Sequence, residues 1–69
     1  MNSCYRVEVN YRSKYFVDES EAFKYYLGKL KPNNSAELWF VSYQFHESIG
    51  RYIATQTLID YYSIKKEDI

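Results

Sequence analysis

The chain is poor in the residues that carry most protein chemistry, with one cysteine, one histidine, one proline and two glycines in 69 residues. The single Cys4 cannot form an intramolecular disulfide, which excludes a disulfide-stapled mini-protein and favours a reducing cytoplasm. One cysteine and one histidine fall short of any usual zinc ligand set, so no metal site is expected. Gly28 and Gly50 are isolated, which excludes a glycine-rich phosphate loop, and no cofactor is predicted.

Long apolar runs and net charge are also missing. No run approaches the roughly 18 apolar residues of a membrane helix, and the polar residues at the N-terminus lack the features of a signal peptide. Nine Lys/Arg balance nine Asp/Glu, which argues against a protein that coats phosphate backbones. We therefore expect a cytoplasmic protein with no membrane partner.

The residues that could support catalysis are few. His46 stands beside Glu47, but neighbouring loop residues seldom point the same way and no nucleophile is placed by spacing. A thiolate pair between Cys4 and His46 has no surrounding motif to support it. The sequence therefore predicts that the protein is not an enzyme.

Aromatic residues are abundant instead, with nine tyrosines, four phenylalanines and one tryptophan. Tyrosine combines a large rigid apolar ring with a polar tip, and it is enriched in the energetic centres of protein interfaces. Nine tyrosines are too many for the interior of so short a chain. We expect some of them to be exposed and to bind a partner.

The first part of the chain alternates between apolar and polar residues, which indicates a half-buried strand. The short polar run 12–14 predicts a turn, with Tyr15 opposite Tyr11 and Val17 opposite Val9. A β-hairpin is the expected result.

A helix is predicted over 19–31. Asp18 is a favourable N-cap, and Glu21, three residues later, matches the capping-box pattern. An apolar stripe at helical spacing follows, and Pro32 ends the helix. The stripe consists of Ala22, Phe23, Tyr26, Leu27 and Leu30. Tyr25 falls outside it.

Two strands are predicted after the helix. Residues 36–45 are rich in β-branched and aromatic side chains and apolar on both sides, which favours a central strand. Residues 46–50 predict a five-residue hairpin loop, and residues 51–62 predict a fourth strand.

These elements predict one α+β domain over 1–69 in ββαββ order, with frayed ends at 1–3 and 65–69. The helix packs on one face of a four-stranded antiparallel sheet, and because one helical stripe covers only one face, the other face looks outward.

The residues of the outward face depend on the register of the second hairpin. If Phe45 pairs with Arg51, the outward face contains Leu38, Phe40 and Tyr52, whereas a shift by one residue exchanges the companions of each face. Both registers leave a surplus of apolar residues outside. In the first register, the candidate partner-binding residues are Leu38, Phe40, Tyr52, Tyr25 and Tyr62, with Arg51 at the rim.

Two functions are compatible with this surface. The first is a non-enzymatic protein–protein interaction module that binds a foreign protein or a second copy of itself. Its size and composition suit a phage or mobile-element inhibitor of a host enzyme or defence complex. The alternative is a small nucleic-acid-binding domain that uses tyrosine and arginine on the open sheet face.

Overall fold

The computed structural model of the chain describes residues 2–63. One helix packs on a four-stranded antiparallel sheet with the strand order β2-β1-β3-β4. The elements are β1 (Ser3–Val9), β2 (Arg12–Phe16), α1 (Glu19–Gly28), β3 (Ala36–His46) and β4 (Arg51–Tyr62). The predicted α+β class and ββαββ order are confirmed. Frayed ends were expected at 1–3 and 65–69. Ser3 instead belongs to β1, and residues 1 and 65–69 lie outside the described part of the chain.

The first hairpin turns earlier than predicted. Asn10 and Tyr11 form its two-residue loop with φ angles of 52° and 71°, and Val9 pairs with Arg12. A turn with two positive φ angles matches the twist of the flanking strands. The Asn10 side chain accepts a 2.9 Å hydrogen bond from the amide of Ser35, which anchors the turn to the loop before β3. The prediction of a turn at residues 12–14 is wrong.

The helix begins as predicted and ends early. The Asp18 carboxylate accepts 2.9 Å hydrogen bonds from the Glu21 amide and the Ser20 hydroxyl, and these bonds lower its pKa. The predicted N-cap is confirmed. The helix ends at Gly28, before the predicted end at residue 31, and the amide of the C-cap Lys29 donates a 2.9 Å hydrogen bond to the Tyr26 carbonyl, which tightens the last turn. Within residues 2–63, no helix is long and apolar enough to cross a bilayer.

The core lies between the helix and one side of the sheet. Its buried members are Val7, Ala22, Tyr26, Ala36 and Leu38. Most of the predicted stripe packs here, but Leu27 is largely exposed. Tyr25, which the stripe left out, packs instead at the core margin with its ring 5.2 Å from that of Phe16.

The second hairpin has a different register from the one that assigned the faces. Phe45 pairs with Tyr52 and His46 pairs with Arg51, so the loop contains four residues rather than five. Gly50 closes this loop with a φ of 67°, a conformation that glycine adopts without steric cost. The predicted pairing of Phe45 with Arg51 is therefore wrong by one residue. β3 is central, between β1 and β4, as predicted.

Leu38 and Phe40 face the helix, contrary to the prediction that they lie on the outward face. Leu38 is 1% exposed in the core, and the Phe40 ring lies 5.3 Å from that of Tyr5, which packs against the same core. The opposite side of the sheet, which we call the open face, carries the neighbouring residues Trp39 and Val41, because side chains alternate along a strand.

Part of the second hairpin extends beyond the rest of the sheet. The pairing of β1 with β3 ends at Ser3 and Ser42, so residues 44–53 form a two-stranded ribbon that no other strand flanks. Every residue of the ribbon is exposed. The molecule is accordingly long, with extents of 51 × 25 × 17 Å.

Candidate protein-interaction surface

The open face is set by the charged residues of the two central strands. In β1, Val7 enters the core, so its neighbours Arg6 and Glu8 point to the other side. β3 pairs with β1 so that Trp39 lies opposite Arg6 and Glu37 lies opposite Glu8. Two carboxylates and a guanidinium are therefore kept out of the core, and Trp39 is placed among them.

Arg6 organises the middle of this face. Its guanidinium donates hydrogen bonds to Gln56 at 2.9 Å, to Glu8 at 2.6 Å and to Ser13 at 3.2 Å. These partners come from β4, β1 and β2, so one side chain links three strands. The ion pair with Glu8 neutralises the charge of Arg6 and fixes its geometry.

Two interactions hold the Trp39 side chain, one with its ring and one with its indole N–H. The Arg6 guanidinium carbon lies 5.1 Å from the centroid of its ring, within the range of a cation–π interaction. Its indole Nε1 donates a 2.9 Å hydrogen bond to Glu37. The ring is thereby fixed in one orientation on the sheet surface.

Val41 forms the floor of the face. It is 2% exposed although no helix or strand within residues 2–63 lies over it, so surrounding side chains shield it. It is flanked by Cys4 on one strand and Gln56 on the other. Cys4 also neighbours Tyr43 and raises the pKa of its phenol, with reduced hydration and Tyr15 acting in the same direction.

The ribbon extends the same face with a second aromatic group. Phe45 and Tyr52 are cross-strand partners whose ring centroids lie 5.2 Å apart in an edge-to-face arrangement. Their exposed fractions are 53% and 60%. Together, the described open face carries six aromatic side chains, Tyr15, Trp39, Tyr43, Phe45, Tyr52 and Tyr61.

The structure separates the residues that the sequence grouped as partner-binding. Tyr52 lies on the open face as predicted, while Leu38 and Phe40 lie on the helix side. Tyr62 also packs against the core, opposite Ala36. Tyr25 lies at the core margin between the ammonium groups of Lys14 and Lys29, at 4.9 and 5.0 Å from its ring centroid. Arg51 lies on the helix side of the ribbon, opposite His46.

The register favoured from the sequence left Trp39, Tyr43, Phe45 and Tyr15 out of the contact surface, whereas the alternative register, shifted by one residue, places Trp39 and Tyr43 on it. The signal that identifies the first three is Glu37, which shares their parity along β3. A carboxylate is almost never fully buried without a partner, so its side of the strand is the outer one. The apolar run after it concealed this alternation.

The groups considered for catalysis are not brought together. Cys4 lies on the open face, opposite Val41, whereas His46 lies at the ribbon end of β3 on the helix side. Among residues 2–63 there is no cluster of three metal-ligating side chains.

A second apolar feature lies on the helix. Phe23 and Leu27 line a shallow groove along the outer flank of α1, bordered by Glu19, Ser20 and Lys24. This groove accounts for the exposure of Leu27. The groove contains one aromatic residue, Phe23, and it lies on the opposite side of the sheet from the open face.

Comparison of this chain with known protein families, with curated proteins and with solved structures finds no match.

Proposed function

We propose that the protein is a non-enzymatic protein–protein interaction module and that the open face is its contact surface. The observation that supports this most directly is the set of six aromatic side chains on a sheet face that no described element covers. Aromatic rings bury large areas with little loss of conformational entropy, and tyrosine, tryptophan and arginine dominate the energetics of protein interfaces.

The geometry also supports binding without rearrangement. Trp39 is held by Arg6 and Glu37, and the Phe45 and Tyr52 rings contact each other across the ribbon. Side chains that are already ordered lose less freedom when a partner binds. The face thus has a fixed tryptophan near its centre and a more exposed aromatic pair at its end.

Charge favours a protein over a nucleic acid as the partner. Among the described residues, the open face carries one cation, Arg6, and two carboxylates, Glu8 and Glu37. Arg6 is already paired with Glu8. Stacking of bases on the aromatics would require cations free to neutralise phosphates, and this face offers none in the described part of the chain.

The test compares two neighbouring residues of the ribbon that differ in face. Affinity capture from the native host followed by mass spectrometry identifies the partner, and its affinity is then measured with purified proteins. Tyr52→Ala, on the open face, should weaken binding by about 1–3 kcal/mol. Ile53→Ala, on the other side of the same strand, is the matched control and should change binding little.

Two results would count against the proposal. Equal losses from Tyr52→Ala and Ile53→Ala would show that the face does not determine binding. An affinity for single-stranded nucleic acid that falls steeply as salt rises, and that Tyr52→Ala abolishes, would instead support the nucleic-acid alternative.

A further inference from the structure

The two edges of the sheet differ in how well they are protected against pairing with another strand. β2 has five residues and carries Arg12 and Lys14. Short length and cationic side chains are common devices that prevent a sheet edge from adding a strand. β4 has twelve residues, contains neither lysine nor proline, and is rich in isoleucine and threonine. It is the longer exposed edge, and residues 52–59 of it carry no charge.

The outward backbone groups of β4 follow from the hydrogen bonds of β3. The Tyr43 amide donates to Asn2, so odd-numbered residues of this part of β3 direct their backbone groups toward β1 and even-numbered residues toward β4. Ser42 and Gln44 therefore bond to Thr55 and Ile53, their partners in β4. The residues between, Tyr52, Ala54, Gln56 and Leu58, direct their N–H and C=O groups away from the sheet.

The charges of β4 indicate what pairs with this edge. Arg51 lies at its start and Asp60 near its end, and the residues between them carry no charge. Both side chains lie on the helix side of the sheet, opposite His46 and Leu38 respectively. Antiparallel pairing with an identical strand therefore places opposite charges together at both ends, whereas parallel pairing places like charges together.

We propose that a second copy of this chain pairs with β4 edge to edge and antiparallel, joining the two sheets into one. The outward groups allow a small set of registers, and the meeting of Arg51 with Asp60 selects the one with Ala54 opposite Gln56 of the second copy and Tyr52 opposite its Leu58. The extra residue at the bulge, Ile59, lies between Leu58 and Asp60. Because Ile59 has no partner at the bulge, the residue that follows Leu58 in the pairing is Asp60. Arg51, which precedes Tyr52, therefore lies opposite the Asp60 of the second copy.

This interface uses the backbone of β4, so it is separate from the aromatic contacts of the open face. The low stability of the two-stranded ribbon explains why this pairing is favourable. An isolated two-stranded ribbon is marginally stable in water, and three or more strands are needed for independent stability. Pairing through β4 flanks each ribbon with the second copy and supplies the missing strand.

The first test uses proline to block the edge. The mass of the purified full chain is measured by sedimentation from micromolar to millimolar concentration, and a dimer is expected. Ala54→Pro removes an outward N–H and leaves the bonds to β3 in place, so it should weaken dimerisation by about tenfold or more. Ala54→Val keeps that N–H and is the matched control, with dimerisation expected to be unchanged.

The second test uses charge exchange and does not depend on proline being tolerated. Arg51→Glu opposes two carboxylates at each end of the interface, and Asp60→Lys opposes two cations, so each variant alone should dimerise weakly. A mixture of the two variants restores an opposite pair at both ends, and it should form a heterodimer tighter than the homodimer of either variant, although Asp60→Lys also removes the hydrogen bond from Tyr26 in one copy. Circular dichroism of each variant confirms that it remains folded.

A chain that stays monomeric to millimolar concentration would overturn the proposal, as would a mixture that dimerises no better than its components. A dimer that tolerates Ala54→Pro but is lost in Tyr43→Ala would also overturn it, because the second copy would then occupy the open face. Loss of foreign-partner binding alone, with the dimer intact, would bear on the proposed function and leave this inference standing.

Discussion

The Tyr26 hydroxyl donates a 2.9 Å hydrogen bond to the Asp60 carboxylate, joining the helix to the edge strand across 34 residues of sequence. The helix otherwise packs over β1, β2 and β3. Asp60 directly follows the bulge residue Ile59, so this bond holds the last part of β4 beneath the helix. It also fixes Asp60 on the helix side of the sheet, the side that carries Arg51.

Removing this bond should weaken the fold moderately. Tyr26→Phe keeps the buried ring and deletes only the hydroxyl, and Asp60 is exposed enough to regain water. We expect a decrease of about 1 kcal/mol in the free energy of unfolding, measured by urea denaturation. Tyr61→Phe, at an exposed position, is the control and should have no effect. A Tyr26→Phe protein as stable as the parent would show that the bond contributes nothing.

The same tyrosine makes stability depend on alkaline pH. Burial, and secondarily the hydrogen bond to Asp60, raise the pKa of Tyr26 above its ordinary value. The unfolded chain therefore loses this proton first, near pH 10, so the contribution is complete below about pH 10 and is lost as the pH rises further. Urea denaturation between pH 8 and pH 11 should show a steeper loss for the parent than for Tyr26→Phe. Parallel curves would contradict this assignment.

Two leucines on opposite faces test the correction of the faces. Leu38→Ala leaves a cavity in the core and should cost about 2–5 kcal/mol, comparable to the whole stability expected of so small a domain. Leu58→Ala, on the open face, should cost about 1 kcal/mol or less. Thermal unfolding followed by circular dichroism distinguishes them. The sequence placed both leucines on the outward face, so a small loss from each substitution would restore that assignment.

The first turn offers a stabilising substitution. Tyr11 has a φ of 71° and is 93% exposed, so its side chain makes few contacts while its Cβ disfavours the left-handed backbone. Tyr11→Gly should raise the free energy of unfolding by about 0.5–1 kcal/mol, since asparagine–glycine is the preferred pair in this turn. Tyr11→Ala retains the Cβ and should give no such gain. Equal stability of the two variants would argue against the left-handed conformation.

The elements were predictable because their signals are local. Asp18 and the helical stripe specify where α1 begins, and the bounds of β4 agree with the run of β-branched and aromatic residues after Gly50. The turn at Asn10 was not predictable in this way. Tyrosine is an unfavourable residue for a left-handed position, and the contacts of Asn10 with the distant loop at Ser35 place the turn there.

The assignment of side chains to the two faces of the sheet was harder to predict, because it depends on the exact length of the loop between β3 and β4. A loop of four rather than five residues exchanges the companions of Phe45, and no local signal between His46 and Gly50 measures that difference. The charge of Glu37 identifies the outer side of β3 without any knowledge of the loop length. Pairing with Arg6 and Glu8 of β1, which is distant in the sequence, then completes the arrangement of the open face.

If two copies pair through β4 as proposed, the short length and positive charge of β2 limit how far the assembly can grow. A sheet with two receptive edges can add copies at both ends and extend into a fibre. Here Arg12 and Lys14 guard one edge, so a pair of chains joined through β4 presents only guarded edges outward. Such a pair is closed: it terminates at two copies, and the aromatic surface is displayed twice on one particle rather than repeated along a filament.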